Sequence, residues 1–415
     1  MVNRSCVRAA LVVLLGSGAT VAGAASWIGT WGSAPLPPSP GFGPTSATPS
    51  FAGVTVRESV RLSAGGRRLR IRFTNEYGTK PLHIGAASVA LIDKSGAVRS
   101  GTYRGVLFGG RASAVIPAAS PFVSDPIDLE VPPLATLSIS LYFPDDTGPC
   151  TCHAVAMEKV DLSDSGDFTE KEFTPKRTIQ SFAFISGVDV QSTRPAKTIV
   201  ALGDSITDGV GSTPGANRRW PDLLADRLDA PGHARQWGIV NMGISGNQVL
   251  NDGAGQSALA RLDRDVLSVP GAAYVIVFEG VNDLGISYGH FTGPLAARFK
   301  SLMPANKATA AGMIEGYRQI IARAHLKGLK VIGATITPYE GAGYYSAEGN
   351  AVRKEINAWI RTGGAFDGVL DFDAALLDKA HPDAIAAGLH AGDHLHGSDA
   401  GYQAIARSID LSIFK

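Results

Sequence analysis

Ser205 stands in Gly203-Asp204-Ser205-Ile206-Thr207-Asp208-Gly209, directly after the apolar and β-branched run 198–202. A serine hydroxyl is a poor nucleophile until a neighbouring base takes its proton. Near the C-terminus, Asp393-His394-Leu395-His396 offers such a base, with a carboxylate three residues before it. Within one loop that spacing lets Asp393 fix the tautomer of His396 and stabilise the imidazolium formed as the proton is taken. Attack on a carbonyl also needs donors for the oxyanion that develops. Gly246, in Asn241-Met242-Gly243-Ile244-Ser245-Gly246-Asn247, can present an uncovered backbone N–H, and Asn282, in Gly280-Val281-Asn282-Asp283, a side-chain amide. With the N–H of Ser205 that makes three donors.

These groups need elements that bring distant segments together. Beyond a linker at 191–196, short apolar runs at 198–202, 239–242, 274–278, 331–335 and 369–372 alternate with helical patterns near 220–228, 312–327, 351–361 and 400–411. Alternating strand and helix predict a parallel sheet with helices on both faces, and in such a sheet ligands bind at the carboxyl ends of the strands. Ser205, Gly246 and Asn282 each follow such an end. Ser398 or Asp399 is the expected N-cap of the last helix.

Before the linker the pattern changes to period two. Val54, Val56, Val60 and Leu62 alternate with polar residues, and so do Leu69, Ile71 and Phe73 after Ala64-Gly65-Gly66; the reading is a β-hairpin. Leu137, Ile139, Leu141 and Phe143 repeat the alternation, with frequent turn signals between. Many short strands predict an antiparallel sandwich of jelly-roll type. Arg57, Arg61, Arg68, Arg70 and Arg72 read as its solvated face rather than a site for an acidic polymer.

Taken singly, Ser205 is also a helix-capping serine, Gly246 a turn glycine, Asn282 a turn amide and His396 a surface histidine. Their occurrence in order, each of the first three after a predicted strand, makes the set specific. At these residues the chain resembles the SGNH hydrolases, also called GDSL esterases, over roughly residues 197–415. The resemblance implies Ser205 as nucleophile, His396 as base, Asp393 as orienting acid, Ser205, Gly246 and Asn282 as oxyanion donors, and no metal or cofactor. It also implies a flavodoxin-like three-layer α/β/α fold with a five-stranded parallel sheet, here preceded by the β-sandwich at 25–193. His394 stands where the family often has Gly, and Gly397-Ser398 where it often has Pro-Asn. The family cleaves acyl esters of many sizes. An exported enzyme with an added sandwich suggests a short acyl ester such as acetyl on a polysaccharide, with a lipase or lysophospholipase activity as the rival. Tyr288, His290, Tyr339, Tyr344 and Tyr345 are candidates for lining the substrate site.

The export reading rests on residues 1–24. Arg4 and Arg8 precede an apolar run at 9–21, and Ala22-Gly23-Ala24 offers the small residues of a cleavage site. The run is shorter than the ~20 residues a bilayer span needs. Losing two arginines and no acid takes the formal charge from +1 to −1. The destination is secreted or periplasmic. The balance of 38 Lys+Arg against 37 Asp+Glu in 415 residues argues against nucleic acid as a partner, and 45% hydrophobic with 18% charged residues against a disordered chain. Of three cysteines, Cys150 and Cys152 remain after the leader, spaced C-x-C and followed by His153; a disulfide stays open, and a zinc site would lack a fourth ligand. Two rival classes remain: a zinc hydrolase built on His381, His390, His394 and His396 with Asp383 and Asp393, and a non-catalytic envelope glycan-binding protein.

Overall fold

The computed structural model describes residues 26–39, 47–231, 235–291 and 307–415. The expected export signal at 1–24 lies outside them. Five parallel strands form the sheet of the C-terminal half, side by side in the order Gln236–Gly243, Ala196–Gly203, Ala272–Phe278, Lys330–Ala334 and Gly368–Leu370. Numbered along the chain, that spatial order is 2-1-3-4-5, the flavodoxin-like arrangement. Its strands are buried on both faces, as their continuous β-branched runs require. Helices Trp220–Leu228 and Asp399–Ser408 pack together on one face; Val281–Tyr288, Ala310–His325 and Ala347–Thr362 form the other layer. Ser398 is the N-cap of Asp399–Ser408, its hydroxyl accepting from Gly401 N at 3.2 Å. Among the described residues, no helix is long and apolar enough to cross a membrane.

The N-terminal half is antiparallel throughout. A four-stranded sheet (Trp27–Gly32, Ile185–Gln191, Arg68–Asn75, Ser120–Val123) shares one core with a six-stranded sheet centred on Val54–Arg61 and Thr136–Phe143. Leu69, Ile71, Phe73 and Val188 from the first meet Val56, Val60, Ile139 and Leu141 from the second. Each buried side chain of this size contributes about 1.5–3 kcal/mol.

Two expectations change here. Val54–Arg61 and Arg68–Asn75 do not pair as a hairpin: the first pairs with Thr136–Phe143 and Val160–Ser165, the second with Ile185–Gln191 and Ser120–Val123. Period two requires only that one face of each strand be buried; here the Gly65-Gly66 connection carries the chain from one sheet to the other, so both buried faces meet across the core. Nor is the arginine row a solvated face. Arg57 is buried against Ser140 and Glu172, Arg61 pairs with Asp226, Arg68 with Asp128, and Arg70 and Arg72 both reach Asp189. Each of the five cations finds a carboxylate, so the row is not a strip of unpaired positive charge. A disulfide joins Cys150 and Cys152.

The halves are in intimate contact. Gly29 N donates to Pro270 O at 2.9 Å, and Ser63 Oγ accepts from Ile239 N at 2.7 Å. A Cβ on Gly238 would sit 1.9 Å from Gly29 O, so only glycine allows this approach.

Candidate active site

Ser205 opens the short helix Ser205–Asp208, directly beyond the strand Ala196–Gly203. Asp204 caps it, its carboxylate accepting from Ile206 N at 2.9 Å. The first N–H groups of a helix have no partner within it, so the N–H of Ser205 is available to a ligand. The segment bearing His396 is brought alongside by two ties. Thr213 N and Oγ1 donate to Asp399 at 2.8 and 2.7 Å, and Tyr402 Oη donates to Val210 O at 2.5 Å.

Ser205 Oγ lies 2.8 Å from His396 Nε2, and His396 Nδ1 lies 2.5 Å from Asp393 Oδ2. The other oxygen, Asp393 Oδ1, accepts from the backbone N–H of Leu395 and His396 at 3.1 and 3.0 Å. Burial alone would raise the Asp393 carboxyl. The hydrogen bond and charge of His396 and the two N–H groups outweigh burial and hold it well below the usual carboxylate range. Facing an ionised carboxylate, Nδ1 carries the proton, and Nε2 is left to accept from the Ser205 hydroxyl. That relay can generate a nucleophilic alkoxide at the moment of attack. His394, the departure from the family's glycine, has φ +60°, a left-handed position that glycine adopts freely, and its ring stacks on His390 at 4.3 Å.

The oxyanion candidates converge through one loop. Asn282 Nδ2 donates to Asn247 O at 2.9 Å, and its Oδ1 accepts from Tyr344 Oη at 3.2 Å. With the oxygen held by Tyr344, the second amide hydrogen has only the site to point towards. Burial keeps the Tyr344 phenol protonated and so a donor. The neighbouring Asp283 accepts from Val249 N and Leu250 N at 2.8 and 3.1 Å, so adjacent residues clamp both ends of the stretch after Gly246. Gly246 has φ +84°, and a Cβ there would meet Ala254 Cβ at 3.0 Å. Of the other aromatic candidates, Tyr288 and Tyr339 are buried, Tyr345 is half-buried and His290 is exposed.

Sequence reasoning missed the layer beneath. Arg261 is fully buried and ties two strand ends to the loop after Gly246: it donates to Gly203 O, Met242 O and Asn247 Oδ1, and pairs with Asp265. The signal was an arginine within the otherwise apolar Ala258–Leu262 turn. Glu279 lies 3.6 Å from Arg261 Nη2 with neither carboxyl oxygen hydrogen-bonded; burial and the charge of Asp204 push its carboxyl well up. Burial likewise pushes Asp204 and Asp283 up to about 7.

The histidines of the zinc reading do not converge. His396 is engaged by Ser205 and Asp393, His390 stacks on His394, and Asp383 pairs with Lys354 and Arg353. Among the described residues no three His, Cys, Asp or Glu groups are arranged to hold a metal.

Residues 201–404 match the model of the GDSL-like Lipase/Acylhydrolase family. Those residues form a GDSL-like lipase/acylhydrolase domain. This acylhydrolase is thereby a carboxylic ester hydrolase. No curated protein matches it. Its likenesses among solved structures include an acetyl xylan esterase from Geobacillus stearothermophilus, 19% identical over 53% of this chain and 96% of that one, with TM-score 0.39. A member of the lipolytic protein G-D-S-L family from Veillonella parvula DSM 2008 is 18% identical over 52% and 98%, with TM-score 0.38. The lipase/acylhydrolase from Enterococcus faecalis is 21% identical over 51% and 92%, with TM-score 0.36. These likenesses span half of the chain and are distant; the assignment of the domain rests on the matched residues.

Proposed function

We propose that the chain is a secreted or periplasmic serine esterase cleaving short acyl esters, acetyl foremost, carried on a glycan. In this reading it comprises an export signal at 1–24, a β-sandwich at 25–193 and the hydrolase at 197–415. Ser205 Oγ attacks the ester carbonyl as His396 Nε2 takes its proton. The oxyanion is met by the N–H groups of Ser205 and Gly246 and by Asn282 Nδ2. Collapse breaks the bond to the alcohol, which leaves with the proton from His396. Water then attacks the acyl-serine, giving its proton to the same nitrogen, and the carboxylic acid departs as Ser205 is restored. Every step uses groups of this chain.

The observation that carries the reading is the unbroken line Ser205–His396–Asp393 at 2.8 and 2.5 Å. The substrate class rests on the export signal and on the sandwich joined to the hydrolase. The test is a panel of acetylated xylan and other acetylated glycans, short- and long-chain nitrophenyl esters, and phospholipids, run with the purified chain and its Ser205→Ala variant. Activity on acetyl esters that Ser205→Ala abolishes is expected. Wild-type turnover by a folded Ser205→Ala protein overturns the serine mechanism, and a preference for phospholipid or long acyl chains overturns the substrate class.

A further inference from the structure

His153 belongs to the antiparallel half yet touches the machinery of the other. Its backbone is fixed by pairing of Cys152–His153 with Phe182–Ala183, by Leu36 N donating to Cys152 O at 2.8 Å, and by the adjacent disulfide. Its ring is buried. Nδ1 lies 2.9 Å from Ala34 O and Nε2 lies 3.0 Å from Asp208 Oδ1. A carbonyl only accepts, so Nδ1 bears a proton; a carboxylate also accepts, so the doubly protonated ring satisfies both contacts. Burial alone would keep the ring neutral, but the charge and hydrogen bond of Asp208 and the carbonyl of Ala34 outweigh it and raise the pKa.

Asp208 is the last residue of the helix that Ser205 begins, and it is buried. Its other oxygen accepts from Ser245 N at 3.1 Å and Ser245 Oγ at 2.6 Å. Ser245 immediately precedes Gly246. Two hydrogen bonds on one carboxylate thus fix the peptide leading into an oxyanion donor, and the same carboxylate is aimed by His153. Without His153, Asp208 Oδ1 would lose the hydrogen bond that the ring gives it, and the carboxylate would be free to turn.

We propose that His153 is a positioning residue for catalysis: acting through Asp208 and Ser245, it sets the direction of the Gly246 N–H, so that the sandwich completes the oxyanion site. This inference rests on the roles assigned above to Ser205 and Gly246. It makes the antiparallel half a working part of the hydrolase and not only a carrier or binding module.

The two nitrogens can be tested apart. Asn places an amide near the Nδ1 position and keeps the bond to Ala34 while losing Asp208; Gln reaches the Nε2 position and keeps Asp208 while losing Ala34. Full-length wild type, His153→Asn, His153→Gln, Ser63→Ala and Ser205→Ala are compared for kcat and KM on a short nitrophenyl ester, and for thermal unfolding. His153→Asn is expected to lower kcat ~10–100-fold, the scale of a small misplacement of catalytic groups. Its KM should stay within about 2-fold, because the oxyanion donors act mainly in the transition state. His153→Gln should restore most of kcat. Ser63→Ala, which removes a hydrogen bond between the halves elsewhere, should lower the unfolding temperature without lowering kcat. Combining His153→Asn with Ser245→Ala should cost no more than the worse single change, since both act through one carboxylate.

Wild-type kcat in His153→Asn, equal losses in the Asn and Gln variants, or a kcat that follows unfolding temperature across the set including Ser63→Ala, overturns the proposal. Additive losses in the double variant do the same, and that cycle decides the matter if the Gln variant fails to fold. Turnover by Ser205→Ala would instead refute the nucleophile. An inactive Ser205→Ala beside a fully active His153→Asn removes only the role of His153.

Discussion

Asn282→Ala separates transition-state stabilisation from substrate binding. In the structure Asn282 is buried, and it makes two hydrogen bonds, one to Asn247 O at 2.9 Å and one from Tyr344 Oη at 3.2 Å. Removing the amide deletes a proposed oxyanion donor, which costs about 10²–10³ in kcat, or about 2.7–4 kcal/mol. It also strands a buried carbonyl and a buried phenol. Two such losses cost roughly 3 kcal/mol of stability, which in an α/β domain of this size lowers Tm by about 6–12 °C. The protein remains folded at assay temperature, so kcat and KM on a short nitrophenyl ester can be read at 25 °C beside a melting curve. The expected result is a loss almost wholly in kcat. Tyr344→Phe keeps the amide but frees its orientation, and should lose less than Asn282→Ala. Asn282→Asp keeps the shape but sets an acceptor against the developing oxyanion, and should be the worst of the three. A rise in KM at unchanged kcat would make Asn282 a substrate-binding residue. Equal kcat in Asn282→Asp and wild type would refute the donor argument.

Gly246→Ala should lower kcat, since it forces a side chain at φ +84° against Ala254, and a full-rate alanine variant would show that the loop does not carry the oxyanion. Because Asp393 is held well below the usual carboxylate range, it stays ionised across mildly acidic and neutral pH, so any acid limb of kcat/KM in that range should be a one-proton limb to which Asp393 does not contribute. A two-proton limb, or loss of activity to EDTA restored by zinc, would count against the relay. Glu279 binds a proton more readily folded than unfolded, so its contribution to stability is present below the ordinary glutamate range and is lost as pH rises through its raised pKa. Glu279→Gln should therefore flatten the decline of Tm with rising pH, Asp204 and Asp283 supplying what remains; an unchanged slope would mean that Glu279 is ionised in the fold.

The parallel sheet was legible because its strands are short β-branched runs buried on both faces, separated by helical patterns. All five lie within a few residues of their expected positions. Ser205, His396 and Asp393 were legible because each sits in a short local motif, and the fold then brings them into contact. Period two told which faces of Val54–Arg61 and Arg68–Asn75 are buried but not which strands they pair with, so two strands joined by a glycine turn were read as partners. The arginine row was misread for a related reason: the carboxylates that pair it, such as Asp189 and Asp226, lie far along the chain. His153 was visible beside the cysteines, yet its partner Asp208 is 55 residues away and in the other half. Contacts of that kind are made by packing and leave no periodicity behind.

The bond from Gly29 to Pro270 also bears on how the chain acquires its structure. Trp27–Gly32 is synthesised early, but part of its surroundings comes from the strand Gln236–Gly243 and the turn at Pro270. At ~5–20 residues per second, ribosomal synthesis delivers Pro270 roughly 10–50 s after Gly29. Contacts between residues so distant in sequence close slowly even once both are present. Until they close, the apolar side chains of Ile28 and Trp31 lie on an incomplete edge strand, a surface open to pairing with other chains. A nascent chain or fragment ending before residue 270 is thus an unfinished folding unit that leaves Trp27–Gly32 open to pairing with other chains.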